Sequence, residues 1–269
     1  MTSSLRLDGA LIGMVHLAPL PGSPRYGGAI GPVVDAALRD AEALAAAGVD
    51  AMILENFGDA PFVRGAVAPE TVASMAALGA RVAGAVDLPL GVNVLRNDGR
   101  AALGVAVAIG ARFIRVNVLA WARLTDQGMI ESDAAELQRA RAALHAGGAS
   151  DESRVLVLAD VAVKHSAPLA PVGAVEEARA AVSRALADAV VVTGAATGAA
   201  VDLGELRAVA RAVAAPVLAG SGVTAETAAA IRREAAGAIV GSALMRDGLP
   251  GSPIDLARAR RLVAAWRQG

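Results

Sequence analysis

The chain of 269 residues contains no cysteine. That excludes disulfides, thiolate nucleophiles and thiolate metal ligands. Aromatic side chains are nearly missing: three Phe, two Trp and one Tyr. Histidine occurs three times, and no HExxH or HxxxH pattern joins them. No apolar run approaches the ~20 residues needed to cross a bilayer, so no membrane span is expected. The first six residues lack the apolar core of a secretory signal, which favours a cytoplasmic protein. The formal net charge is −1, so no basic surface points to nucleic acid.

What remains is a hydrophobic fraction of 55%, much of it alanine, with 29 glycines. Short apolar runs alternate with helical patterns along the whole chain. Leu11–Leu17 reads as a first strand, and Pro32 as the N1 residue of a helix ending at Gly48. Asp50–Asn56, Leu90–Val94, Arg112–Asn117 and Arg154–Asp160 read as strands two to five. Ala189–Thr193, Pro216–Ala219 and Gly237–Val240 complete eight. The helix after strand four is expected from about Glu131 to Ala146, and the helix between strands seven and eight from Thr224 to Glu234. Eight strand–helix pairs without a linker predict one closed (β/α)8 TIM barrel domain over residues 1–269. An open doubly wound sheet is the alternative, but the first turn carries no GxGxxG.

Gly220-Ser221-Gly222 and Gly241-Ser242 end strands seven and eight. Residues without Cβ let backbone N–H groups approach phosphate oxygens, and the helix after the first turn is expected to add its positive end. Phosphate commonly binds there in such barrels. The remaining chemistry is expected at the other strand ends. His16, Glu55, Asp160 and Lys164 are the catalytic candidates, as acids, bases or, for the lysine, a Schiff-base amine. Asn56, Asn93, Arg115, Asn117, His165, Thr193 and Thr197 are candidate substrate contacts. Each has a plainer reading: the asparagines could tie strand ends to loops, and either carboxylate could pair with Arg115 or Lys164. His145 reads as surface. No cofactor is expected. His16, Glu55 and Asp160 have the donor types for a divalent ion, but no spacing demands one. Tyr26, Phe57, Phe62 and Trp121 fall in the face loops, where they could form an apolar wall over a ring-bearing ligand, pack on helix ends or meet another subunit.

Several of these stretches carry a family resemblance. Ile12-Gly-Met-Val-His-Leu-Ala-Pro-Leu-Pro-Gly-Ser-Pro-Arg-Tyr26, Gly48–Asp59, Gly91–Asp98, Arg115-Val-Asn-Val118 with Thr125-Asp-Gln-Gly128, Ala159–Ser166, Thr193–Gly198 and the late glycine turns resemble the BtpA/SgcQ family. The resemblance implies a barrel related to the ribulose-phosphate-binding barrels. It also implies a link to photosystem I biogenesis, the association of a cyanobacterial member. The name phosphoribosylanthranilate isomerase, also used for such proteins, would require a catalytic cysteine, which this chain lacks. Two expectations follow. The first is an enzyme on a phosphorylated sugar, phosphoribosyl compound or nucleotide, acting by isomerisation, lyase chemistry or glycosidic cleavage. The alternative is a non-catalytic assembly factor, which predicts a large exposed apolar patch. The alanine-rich outer helices could pack on a second copy, so a homo-oligomer is expected.

Overall fold

The computed structural model describes residues 5–148, 154–194 and 201–269. Eight parallel strands close into a barrel: β1 (Leu11–His16), β2 (Ala51–Glu55), β3 (Leu90–Asn93), β4 (Phe113–Val116), β7 (Leu156–Val161), β9 (Ala189–Val192), β10 (Val217–Ala219) and β11 (Gly237–Val240). β11 pairs with β1 to complete the ring. The helices α1 (Ile30–Ala47), α2 (Pro69–Ala85), α3 (Gly99–Ile109), α4 (Ala134–Ala143), α5 (Ala174–Ser183), α6 (Leu203–Ala212), α7 (Ala228–Arg232) and α8 (Leu256–Gln268) follow the barrel strands in turn. This is the expected TIM barrel.

The strands are apolar on both faces because both faces are covered. Leu11, Val15, Met52, Leu54, Val92, Ile114 and Val157 face outward into the large core beneath the helices. Ile12, Met14, Ala51, Ile53, Phe113, Leu158, Val191 and Ile239 form a second cluster inside the ring. Phe113 fills the barrel interior because β3 offers it Gly91. The two are in register, and a Cβ on Gly91 would lie 2.2 Å from the Phe113 ring. On the outside, α1 approaches β1 closely because a Cβ on Gly13 would meet Leu44 at 2.8 Å.

Three boundaries differ from expectation. α1 begins at Ile30, two residues before Pro32. A proline within the first turn removes only an N–H that the helix would not have used. The stretch before α4 is not a plain loop: β5 (Ala122–Thr125) and β6 (Gly128–Glu131) form an antiparallel hairpin, joined on its other side by β8 (Ser166–Pro168). Glu131 is thus a strand residue, and α4 starts at Ala134. Leu124, Met129 and Ala167 stand in register across this small sheet. Underneath, Val118, Ile130 and Val163 make a three-residue core.

The helix expected from Thr224 is only Ala228–Arg232. The Thr224 N–H donates to Thr227 Oγ1 (2.9 Å) and the Thr227 N–H to Thr224 Oγ1 (3.3 Å). These hydroxyls satisfy the backbone in a turn that competes with the first helical turn. So short a helix supplies little dipole at the mouth.

Candidate active site

Side-chain period in a strand is two, so residues of one parity line the interior. At the C-terminal end of the barrel that inward row changes from apolar to polar or small: His16, Glu55, Asn93, Arg115 with Asn117, Asp160, Thr193, Gly220 and Gly241. A cavity of about 1040 Å³ opens over this row. His16, Glu55, Arg115, Asn117, Lys164, His165, Gly220, Ser221, Gly222, Gly241 and Ser242 line it, together with Arg96, Phe57 and Phe62.

His16 and Glu55 are neighbours in register on β1 and β2. Glu55 Oε2 accepts from Asn93 Nδ2 at 2.6 Å, and Glu55 Oε1 lies 3.6 Å from His16 Nε2. The Gly251 N–H donates to His16 Nδ1 (3.0 Å), so the ring proton of the neutral imidazole sits on Nε2, facing Glu55. Burial lowers the proton affinity of His16, opposed by Glu55, which favours the neutral ring. Phe57 stacks on it, centroids 4.2 Å apart and planes 13° from parallel. That aromatic ring begins a 3-10 turn from Phe57 to Asp59, where Gly58 lets the chain pass against the Leu17–Pro19 backbone.

On the opposite strands, Asp160 is fully engaged below the cavity. Arg115 holds it with two parallel bonds, Nε to Oδ1 (2.8 Å) and NH2 to Oδ2 (3.1 Å), and Asn117 Nδ2 donates to Oδ2 (2.8 Å). Asp160 does not line the cavity, and its side chain has no exposure. The salt-bridge reading therefore describes it better than a role in proton transfer. Among the described residues, Asn117 Oδ1 is buried without a hydrogen-bond partner beside the cavity, as is Arg96 Nε. Buried groups left unpaired are costly, and both keep capacity for one more hydrogen bond.

The plainer reading holds for two further candidates. Asn56, of outward parity, accepts from the Leu95 N–H (2.8 Å) and donates to Asp59 (3.1 Å), tying loops together. Thr193 accepts from the Lys164 N–H (3.2 Å) and donates to the Ala162 carbonyl (3.3 Å), which secures the loop after β7. Asn93 reaches the cavity only through Glu55. Thr197 lies outside the described residues. His145 is exposed.

At the glycine turns the roles divide. The Gly220 N–H donates to Val192 O (2.8 Å), and a Cβ there would meet Val191 at 2.5 Å, so this glycine serves barrel packing. Gly222, with φ +67°, adopts a left-handed conformation that L side chains rarely reach. Gly241 packs over the His16 ring, with room for a Cβ at 3.6 Å. Arg258 and Arg261, on the helix after β11, reach the same end of the cavity, and Arg261 pairs there with Glu226. Sequence reading missed these two arginines because they belong to a helix rather than to a strand end.

Lys164 lines the cavity between the two sides and, among the described residues, makes no ion pair within 4 Å. Burial lowers its proton affinity, and Arg115 and Arg96 lower it further against Glu55 and Asp160. His165 is exposed, and burial of part of its ring with Arg96 beside it favours its neutral form. Of the loop aromatics, Phe57 and Phe62 face the main cavity, Trp121 borders a smaller one beside β8, and Tyr26 packs against the outer core. No three His, Asp or Glu side chains converge at metal-binding distance among the described residues.

The model of the BtpA family matches residues 8–268. The chain belongs to the BtpA family. One BtpA relative is the photosystem I biogenesis protein BtpA of Synechocystis, 42% identical over 260 residues, covering 96% of this chain and 88% of the other. Among solved structures the fold resembles thiamine phosphate pyrophosphorylase of Pyrococcus furiosus (TM-score 0.59, 17% identity, 97% of this chain and 98% of the other). It also resembles N-(5'-phosphoribosyl)anthranilate isomerase of the same organism (TM-score 0.58, 14% identity, 97% and 99%). At those identities the likeness concerns the barrel, not the residues of the BtpA site. No helix among the described residues is long and apolar enough to cross a membrane.

Proposed function

We propose that this BtpA protein is an enzyme acting by acid–base chemistry on a phosphorylated, ring-bearing metabolite. The observation that carries the reading is one cavity lined by two unlike groups of residues, which meet where Gly241 lies against the His16 ring. Ser221, Gly222, Gly241 and Ser242 form a small-residue group flanked by Arg258, suited to a phosphate. Glu55, His16 and Lys164 form the reactive group. Glu55 is the base, held by Asn93. His16 presents Nε2–H as a fixed hydrogen-bond donor, and Lys164 supplies the ionisable amine of the cavity wall. Asn117 Oδ1 accepts from a substrate hydroxyl, and Arg96 Nε–H donates to a substrate oxygen. Phe57 and Phe62 cover the ring. Both structural neighbours carry phosphate or phosphoribosyl in their names, which agrees with this reading.

The test is identification of any small molecule that co-purifies with the protein, by mass spectrometry, followed by turnover of that class of compound. Glu55→Gln is expected to lose at least ~100-fold in kcat, the typical weight of a general base. Asp160→Asn is expected to act chiefly through folding. Full turnover by Glu55→Gln would remove the mechanism.

A second reading is favoured by the name of the Synechocystis relative and by one surface. Leu124 and Met129 stand opposite each other on β5 and β6, both exposed, with exposed Trp121 and Leu169 beside them. An assembly factor would use such a face. An empty cavity in the purified protein, with a stoichiometric protein partner lost on Leu124→Glu, would support it over the enzyme.

A further inference from the structure

Lys164 is the only lysine in the chain; every other residue counted among the 25 of lysine and arginine type is arginine. Ion pairing, helix ends and surface charge are all served here by arginine, as in the pairs of Arg123, Arg141, Arg207 and Arg261. Phosphate contact would be served as well, since guanidinium grips oxyanions with two bonds. What arginine cannot supply is a proton lost near neutral pH, or the amine that remains. The single lysine lines the large cavity, where such an amine has room to act. It lies on the wall between the glycine turns and Glu55, without a counter-ion within 4 Å among the described residues, and with Arg96 and Arg115 near enough to oppose its charge.

We propose that Lys164 is a nucleophilic amine that forms a Schiff base with the carbonyl carbon of a phosphorylated aldehyde or ketone. The proposal rests on the phosphate-binding reading of this cavity and narrows it to carbonyl substrates. The neutral Nζ attacks the carbonyl carbon. A C–N bond forms as the C=O π electrons move to oxygen, and a proton passes from nitrogen to that oxygen. A second proton lets the oxygen leave as water, giving the protonated imine. Glu55 and the ordered donor Nε2–H of His16 stand on the opposite wall to carry these protons. The iminium then accepts the electron pair when a neighbouring C–H or C–C bond breaks, so the site suits isomerisation or aldol-type cleavage and gives no reason for glycosidic hydrolysis. The loop that presents the lysine is held in a costly conformation, with Ala162 at φ +48° and His165 at φ +57° on either side of it. Thr193 and Glu177 fasten that loop from below through the Lys164 and Ala162 N–H groups.

The test uses pyridoxal 5′-phosphate, a ring-bearing phosphorylated aldehyde, on the full chain at pH 7, with borohydride reduction and peptide mass mapping. The expected result is about one adduct per chain, on Lys164, absent in Lys164→Arg and suppressed by inorganic phosphate. Lys164→Arg keeps the charge, and its melting temperature reports whether it folds. Labelling confined to the N-terminal amine, or equal labelling of Lys164→Arg, overturns the proposal. Equal labelling of Lys164 by unphosphorylated pyridoxal, with no protection by phosphate, sustains the reactive amine and removes the phosphate reading instead.

Discussion

Individual side chains in this barrel are placed by parity and then by what their neighbours leave them. Glu55 and Asn56 are adjacent in sequence, yet one faces the cavity and the other ties two loops. Asp160 looks in sequence like a partner for Glu55, but Arg115 and Asn117 occupy its oxygens. Burial also sets protonation away from the site. The Asp133 carboxyl is pushed up to about 6 by burial, with Asp98 and Glu136 adding, and among the described residues its Oδ1 has no hydrogen-bond partner. A carboxyl whose folded value is raised binds its proton more tightly in the native state. Its contribution to stability is complete below the ordinary value of 3.8 and is lost as pH rises through about 6. Asp133→Asn removes that loss. The variant is expected to melt above the parent at pH 8, with the difference closing by pH 4 in a calorimetric pH series.

Among the elements, the excursion sheet of β5, β6 and β8 is the least predictable and the most dependent on one polar cluster. Arg123 donates to Ser166 Oγ (2.6 Å) and to Glu177 Oε2 (3.0 Å), and Glu177 also takes the Ala162 N–H (2.8 Å). Burial raises Glu177's proton affinity, and among the described residues its Oε1 lacks a hydrogen-bond partner, so the carboxylate relies on the arginine. Arg123→Ala strands that charge and should cost about 3–5 kcal/mol. The effect is expected to appear as fast hydrogen exchange at the β5, β6 and β8 amides with the barrel strands still protected. A uniform rise across the barrel would contradict a local role. The tip of this hairpin, Asp126, borders the main cavity, so the same variant is expected to raise KM more than it lowers kcat.

Across the whole molecule, closure of the ring depends on joining its two ends. β11 hydrogen-bonds β1, and α8 seals the join: Trp266 is buried (1% exposed), its Nε1 donates to Gly9 O (2.9 Å), and the Arg232 guanidinium lies over its ring at 5.7 Å. Trp266→Ala should therefore destabilise the chain by about 3–5 kcal/mol. Because the contact spans the first and last elements, the loss is expected in the main cooperative transition under denaturant. A separate early transition of α8 alone would contradict it.

The amino-acid sequence by itself determined the barrel, since eight apolar runs alternating with helical patterns admit few other packings. It also determined which strand ends are polar, because period-two alternation carries Glu55, Arg115 and Asp160 to the inner row wherever the ring closes. It contained the single lysine as well, although a count has no chemical meaning until the residue has surroundings. Tertiary structure decided the rest. Hydrogen bonds between residues distant in sequence turned Asp160, Asn56 and Thr193 into supports. Two threonines shortened α7 and took the helix dipole away from the glycine turns. The hairpin of β5 and β6 and the arginines of α8 entered the site from segments whose local pattern says nothing of a cavity. The physical reason is one of range: periodicity and turn chemistry act within a few residues, while the partner that uses up a buried charge, or leaves Lys164 without an ion pair among the described residues, is set only when the ring has closed.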